Sequence, residues 1–200
     1  MHPAPLFRET DTDTLLARIC DYPLGLIVVN GETAPLAAHS PVLAARGEDG
    51  GVRLRFHLSA NNPVTKRLEA GAAALIVFTG PEAYISPDWY GEVPDQVPTW
   101  NYLSVEAEGM PVPADAIAFL DDVSAEFESR LLPKPPWTRA KMAPAAFDRM
   151  VRAIRAFEMA PSRFEGITKL GQNKTPEMRA GVVAALGEHP ISAAMGKLPS

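Results

Sequence analysis

The segment VRLRFHLSANNPVTKRLEAG, residues 52–71, decides the fold of the first half of the chain. Polar and apolar residues alternate along VRLRFHLS, a period of two that predicts a strand with one buried face. Asn62 and Pro63 then predict the N-cap and the first residue of a helix. Gly71 suits the left-handed position at which such a helix ends. The buried face of the strand is expected to carry Leu54, Phe56 and Leu58.

Further strand patterns lie on both sides of this segment. LGLIVVN (24–30) and PLAAHSPVLAA (35–45) are predicted to form a hairpin around the turn signal Asn30-Gly31-Glu32. AAALIVFTG (72–80) is predicted to be a strand buried on both faces, and VPTWNYLSVEAEG (97–109) another strand. Strands joined by hairpin turns, with one short crossing helix, favour an antiparallel barrel over a parallel α/β sheet.

Helical spacing dominates the second half of the chain, where FEMAPSRFEGITKL (157–170) predicts a returning strand or extended pair. The fold class is therefore mainly β with helices (α+β). We expect a barrel core over residues 1–110 and a helical extension over 111–200, packed together as one compact domain. Helices are predicted over residues 12–20, 114–131, 145–157 and 175–186.

Composition excludes several classes of protein. The net charge of −5 argues against a general affinity for nucleic acid. Cys20 is the only cysteine, so no intrachain disulfide or cysteine-based zinc site is available, and its apolar surroundings predict a buried, inert thiol. The N-terminal residues do not resemble a signal peptide, and no apolar run is long enough to cross a bilayer. We therefore expect a cytoplasmic protein without membrane contact.

The junction between strand and helix is a candidate phosphate site, because a helix start presents unpaired N–H groups and positive potential. The alternative is an ordinary capped surface helix with solvated cations. His39 and His57 lie on predicted strands without a third metal ligand nearby, so structural or ligand-bonding roles are favoured over metal. The phosphate candidates are Ser59, Asn61, Asn62, Lys66 and Arg67.

Aromatic residues crowd into GPEAYISPDWYGEVPDQVPTWNY, residues 80–102, which holds two of the three tryptophans and three of the four tyrosines. Core anchoring explains one or two of them. The remainder favour a stacking surface for a flat ligand or a subunit interface. The residues proposed as this wall are Trp89, Tyr90, Trp100 and Tyr102.

Charge also segregates in the second half of the chain. Residues 115–128 contain five acids and no base, whereas residues 134–155 contain six bases and only Asp148 as an acid. One interpretation is a patch for a polyanion. The interpretation that we favour is a basic segment that meets the acidic helix or solvent.

Four motifs lie along the chain in this order: HLSANNP, GPEAYISPDWY, VPTWNY and KLGQNK. The same order is seen in the PaiB-like family of FMN-binding negative transcriptional regulators, which the chain resembles over nearly its whole length. The resemblance implies a split β-barrel of the pyridoxamine-phosphate-oxidase type. It also implies a homodimer with FMN in a cleft between subunits. The C-terminal motif would close the pocket through Lys169, Gln172 and Asn173.

Two positions depart from the family pattern. Ala60 stands where the family commonly has arginine, and Gly171 stands where it commonly has serine. Loss of one charge-assisted hydrogen bond costs roughly 1.5–3 kcal/mol, or about tenfold to more than a hundredfold in affinity. The affinity for FMN is therefore expected to be weakened at Ala60.

Three functions remain open on the sequence. The first is a flavin-binding or flavin-sensing negative regulator, whose DNA contact, if present, would use Arg149, Arg152 and Arg155. The second is a flavin-dependent reductase or oxidase of a small molecule. No acid, base or nucleophile is identifiable in the sequence, and in flavin enzymes the cofactor carries the redox chemistry. The third is a module for haem or another planar ligand, with His39 or His57 as the axial group.

Overall fold

The computed structural model describes residues 4–198, so MHP at the N-terminus and residues 199–200 lie outside the described residues. The chain divides into two compact units. The first unit contains the described residues up to Arg18, Thr79–Val105, and those from Glu165 onward. The second unit contains Ile19–Phe78 and Glu106–Phe164. The predicted boundary at residue 110 stays a prediction.

Strands and helices alternate irregularly along the chain. The strands β1 to β9 are Arg8–Glu9, Leu24–Val29, Leu36–Arg46, Val52–Ser59, Ala74–Ile85, Thr99–Gly109, Val112–Ala114, Ile154–Met159 and Pro161–Lys169. The helices α1 to α6 are Thr12–Asp21, Pro63–Glu69, Ala116–Ser129, Pro144–Val151, Pro176–Leu186 and Pro190–Met195. Short 3-10 helices cover Pro5–Phe7, Pro87–Tyr90 and Arg139–Lys141.

The strands of the second unit follow the order β5-β2-β3-β4-β8-β7. Every neighbouring pair in this series is antiparallel, which confirms the hairpin predicted around residues 30–35. In the first unit, β1 pairs antiparallel with β9 in the order β1-β9-β6-β5. Strands β5, β6 and β9 run from one unit into the other. The antiparallel strands and the helices confirm the predicted α+β class. Neither series of strands closes on itself within residues 4–198, so the barrel is an open one.

The core of the second unit follows the predicted period of two. Leu54, Phe56 and Leu58 on β4 are all buried, and the Phe56 ring stacks on Phe157 of β8 with centroids 5.6 Å apart. Burial of each such side chain contributes about 1.5–3 kcal/mol. A smaller apolar cluster under α3 contains Phe119 and Val123.

The core of the first unit gathers α5, α6 and the end of β5 around Tyr90. Helix α5 is capped by Thr175, whose hydroxyl accepts from the Met178 N–H at 3.3 Å. It packs closely on the Pro87–Tyr90 turn, because a Cβ atom at Gly181 would lie 2.1 Å from the Trp89 carbonyl oxygen. Only glycine fits at this approach.

Three sequence predictions about these elements and their burial are wrong. The helix predicted over 145–157 ends at Val151, because Ile154 begins β8 and pairs with Ser59 of β4. The strand predicted over residues 72–80 ends later than expected, since β5 continues to Ile85, and Pro87–Tyr90 is a 3-10 helix. Cys20 is exposed rather than buried. Helix α6 lies in a stretch for which no helix was expected.

None of the helices in residues 4–198 combines the length and the apolar character required to cross a membrane.

Candidate functional site

The β4–α2 junction of the second unit is held by its own side chains. Asn62 Oδ1 accepts from the Val64 N–H at 2.9 Å, so Asn62 is the N-cap that the sequence predicts. The buried Thr65 hydroxyl donates to the Ser59 carbonyl at 2.8 Å. One orphan donor of the helix is therefore satisfied from within, and any anion must approach the remaining groups from outside.

The polar residues around this junction face solvent. Ser59, Asn61 and Lys66 are exposed, and Arg67 is half-buried. Arg67 donates through Nε to the Asn30 carbonyl at 3.1 Å, which fixes its guanidinium beside the helix. Lys66 and Arg67 lie in the last turn of α2, whereas Ser59 and Asn61 precede its N-cap. Their role as a phosphate site stays a prediction.

The same junction carries no cation at position 60. The Ala60 N–H donates to the Ala153 carbonyl at 2.8 Å, which ties the turn to the start of β8. The arginine expected from the family pattern has no substitute at this position.

His57 is half-buried in the second unit. Its ring lies against Phe119 of α3 with centroids 5.4 Å apart, and burial lowers its pKa below the ordinary value of 6.5. Its Nδ1 atom is buried and has no hydrogen-bond partner among the described residues. The ring is thus a neutral imidazole in an apolar contact, with one polar atom left unpaired.

His39 has a different environment. It is exposed on β3, opposite Leu26 of β2. No group of three potential ligands among histidine, cysteine, aspartate and glutamate occurs within residues 4–198. Neither histidine is therefore part of a metal cluster in the part of the chain that the structure describes.

The aromatic residues of the first unit fall into two sets. Trp100 is 52% exposed and meets Tyr84, 47% exposed, edge to face with centroids 6.0 Å apart. Tyr90 is buried, so its pKa is raised, and Lys174 Nζ lies 4.8 Å from its ring centroid. Trp89 packs half-buried against the same core as Tyr90.

Core anchoring therefore accounts for Trp89 and Tyr90. The exposed aromatic pair consists of Trp100 and Tyr84, and Tyr84 was missing from the residues proposed as a wall. Its position on β5, alternating with the buried Ala83 and Ile85, is the signal that identifies it. Tyr102 is half-buried on β6.

The KLGQNK motif makes two kinds of contact within the first unit. Lys169 Nζ donates to Thr99 Oγ1 at 2.6 Å and to the Trp100 carbonyl at 2.7 Å, and desolvation lowers its pKa. Gln172 closes its own turn, because Oε1 accepts from the Leu170 N–H at 2.8 Å and Nε2 donates to the Thr168 carbonyl. Asn173 is exposed. Lys169 thus supports the strand that presents Trp100.

Several acids of α3 are paired with bases of the second unit. Arg55 donates to Asp122 at 2.7 Å, and Arg139 lies 3.3 Å from Asp121. Lys134 pairs with Glu128 and lowers the pKa of that carboxyl. These contacts agree with the interpretation that the basic segment meets the acidic helix. Of the three arginines considered for DNA, Arg155 is bonded to Glu69 at 3.0 Å, whereas Arg149 and Arg152 are exposed.

Solved structures establish the class of fold. The FAD and haem binding protein of Mycobacterium smegmatis superposes with a TM-score of 0.59 at 18% identity, covering 91% of this chain and 81% of that one. A flavocytochrome of Azotobacter vinelandii gives a TM-score of 0.64 at 16% identity, covering 90% and 78% of the two chains. The fold is thus the split barrel found in flavin-binding proteins.

Sequence comparison then assigns the family. Residues 1–163 match the family described as "Putative FMN-binding domain", and the chain belongs to that family. It is also 25% identical to the Protease synthase and sporulation protein PAI 2 of Bacillus subtilis, over 99% of this chain and 96% of the relative. The predicted resemblance is confirmed.

Proposed function

We propose that the protein binds FMN and acts as a flavin-dependent or flavin-sensing negative transcriptional regulator of the PaiB type. The observation that carries this proposal is family membership over residues 1–163, a range that contains the β4–α2 junction. The full-length likeness to PAI 2, whose name refers to protease synthesis and sporulation, supports a regulatory role.

The β4–α2 junction provides groups suited to the phosphate of FMN. Lys66 and Arg67 would supply charge, while Ser59 and Asn61 would supply neutral donors. Asn62 would act through the backbone that it caps. Ala60 contributes no charge, so we expect an affinity below that of a relative with arginine there. The bound flavin would supply redox chemistry or a ligand-dependent state.

His57 would contribute to this proposal as a neutral group. Its unpaired Nδ1 atom, buried among the described residues, has hydrogen-bonding capacity that the fold does not use. A neutral imidazole cannot pair electrostatically with the phosphate, so a role in orienting a ligand is the one that its environment supports.

A homodimer forms part of the proposal. The exposed Tyr84 and Trp100 rings offer the aromatic surface that subunit interfaces favour. A second copy packed there would exclude water from both rings. Sedimentation of the purified protein measures the assembly directly, and a monomer at micromolar concentration would remove this part of the proposal.

Mass spectrometry of small molecules released from protein purified without added cofactor tests the central claim. FMN in the released fraction, together with flavin absorbance bands, supports it. Haem and a Soret band would favour the planar-ligand alternative. An empty fraction, with no uptake of added FMN, would overturn the proposal.

Turnover separates the regulator from the flavin-dependent reductase. The FMN-loaded protein is mixed with NADH or NADPH, and the oxidation of this nucleotide is followed over time. Oxygen serves as the electron acceptor in place of the physiological one. Catalytic turnover well above that of free FMN would favour the enzyme, whereas turnover at the level of free FMN would favour the regulator.

A further inference from the structure

A cavity of about 230 Å³ lies within the second unit between α3, α4 and the segment that connects them. Its walls are almost entirely apolar, and none of them belongs to the β4–α2 junction. The residues that matter here are Leu120, Trp137, Met142, Phe147, Val151 and Ile154.

Helix α4 is poorly packed around this cavity. None of its eight residues is buried, although Phe147 and Val151 turn toward the cavity and Met150 is 60% exposed. A short amphipathic helix normally depends on packing of its apolar side for stability. An apolar cavity of about 150 Å³ is large enough to bind benzene, so this one accepts a single ring with a short chain.

The rim of the cavity carries one cation and one anion, Arg139 and Asp121. Arg139 lies on it, with its guanidinium 5.5 Å from the Phe147 ring centroid and 3.3 Å from Asp121. The Arg139 side chain remains 47% exposed, so it retains donors for a further acceptor. Its spare donors, rather than the net charge of the rim, are what favours a carboxylate there.

A second hollow of about 520 Å³ meets the first at Trp137 and Arg139. Ser124 and Asp121 line both. A ligand with an apolar body in the first cavity would therefore place its polar end at Arg139, where the two hollows join and water has access.

We propose that this cavity binds a small aromatic or branched aliphatic carboxylate, with its hydrocarbon part between α3 and α4 and its carboxylate on Arg139. Arginine suits a carboxylate because its planar fork donates two parallel hydrogen bonds. The site shares no residue with those proposed for FMN, although Ile154 pairs with Ser59 of β4. Binding there would stabilise α4 and the basic segment around it.

Isothermal titration of the full-length protein tests this site with 3-phenylpropionate and its neutral analogue 3-phenylpropionamide. We expect the carboxylate to bind at least about tenfold more tightly than the amide, as a charge-assisted hydrogen bond would provide. Arg139→Gln should abolish that preference. Arg149→Gln is the matched control, because Arg149 is exposed on α4 and does not line the cavity.

A second variant makes the test independent of charge. Val151→Phe places a larger side chain in the cavity and should reduce the affinity for both probes at least tenfold, with cooperative thermal unfolding retained. If this variant fails to fold, the Arg139→Gln and Arg149→Gln comparison decides the matter. Equal affinity for the two probes, equal effects of the two arginine variants, or no saturable binding would overturn the proposal. The proposal would also be overturned if the parent protein bound no carboxylate and Val151→Phe changed its oligomeric state. That result would indicate that a second copy of the chain fills the cavity.

Discussion

The imidazole of His57 lies against the ring of Phe119 with centroids 5.4 Å apart, which joins β4 to α3 in the second unit. Phe119 is fully buried, and His57 Nδ1 has no partner among the described residues. One side of the imidazole thus packs on an apolar ring, and its Nδ1 atom has no hydrogen bond. The free energy of this contact therefore depends on whether His57 is protonated.

The pH dependence of stability follows from this contact. Burial lowers the pKa of His57 in the folded state below the ordinary value of 6.5, so protonation favours the unfolded state. The free energy of unfolding should therefore fall as pH drops below about 6.5, by at most about 1.4 kcal/mol per pH unit. Chemical denaturation of the parent protein and of His57→Gln between pH 8 and pH 5 measures how the free energy of unfolding depends on pH.

The variant His57→Gln should lose less stability than the parent over that range. His39→Gln is the control, because it replaces a histidine at an exposed position on β3. Parallel curves for the parent and His57→Gln would contradict the buried, neutral imidazole.

The close packing of α5 on the Pro87–Tyr90 turn is open to a similar test. Alanine at Gly181 would place its Cβ atom 2.1 Å from the Trp89 carbonyl oxygen, so α5 or the turn must move. We expect Gly181→Ala to lower the free energy of unfolding by about 1–3 kcal/mol. Gly196→Ala is the matched control, since its Cβ atom would have no neighbour nearer than 3.6 Å and its φ is −65°. Similar stability of the two variants, measured by thermal unfolding, would show that the turn yields freely.

Much of the fold could be predicted because its signals are local. The alternation in β4, the N-caps at Asn62 and Thr175 and the turn before β3 each depend on a few neighbouring residues. The first residues of strand β8 were assigned to a helix because the spacing of Ile154 and Phe157 also fits a helix, and only pairing with β4 makes them part of a strand. Such pairing is a property of the folded chain.

The candidate site shows the same limit. The sequence predicts that Tyr90 and Gln172 contact a ligand, and the structure shows that Tyr90 also packs in a core and that Gln172 also closes a turn. Their ligand contacts stay a prediction. Their residue types fit either role, and only the packing around them distinguishes the two. Lys66 is exposed, but α2 ends at Glu69, so Lys66 lies in its last turn rather than at its start.

Direct DNA binding is a further element of the regulator hypothesis. Arg149 and Arg152 are exposed, whereas Arg155 is bonded to Glu69. If DNA is bound through this segment, the charge reversal Arg149→Glu, Arg152→Glu and Arg155→Glu should lower promoter affinity at every salt concentration. The slope of log K against log salt should fall by about one for each DNA phosphate that the variant no longer neutralises. Electrophoretic mobility shift across a salt series measures both quantities.

Lys134→Glu is compared with Arg149→Glu alone, because the two single reversals make the same change in net charge and Lys134 pairs with Glu128. Promoter affinity unchanged by the triple reversal would remove these arginines from any DNA interface. The regulator would then act through a protein partner.

The cations at the β4–α2 junction should determine flavin retention. Replacement of both Lys66 and Arg67 by alanine removes two positive charges and the Arg67–Asn30 hydrogen bond. We expect the affinity for FMN to fall by at least about a hundredfold, since each charge-assisted bond contributes roughly 1.5–3 kcal/mol. Flavin fluorescence quenching measures the dissociation constant. The control is the double variant Arg149→Ala, Arg152→Ala, which makes the same change in net charge away from the junction. Equal losses of FMN affinity in the two double variants would point to an effect of net charge rather than to a phosphate site at the junction.

The cap at Asn62 allows stability and phosphate binding to be separated at one position. Asn62→Asp should preserve stability, because a carboxylate also accepts from the Val64 N–H and is favoured at a helix N-terminus. It nevertheless places a negative charge where the phosphate of FMN would bind, so the affinity for FMN should fall at least about tenfold. Asn62→Ala should lose about 1 kcal/mol of stability, and Asn62→Ser should retain both properties. Thermal unfolding and flavin titration on the three variants distinguish the roles, and an Asn62→Asp protein that binds FMN as well as the parent would place the phosphate away from α2.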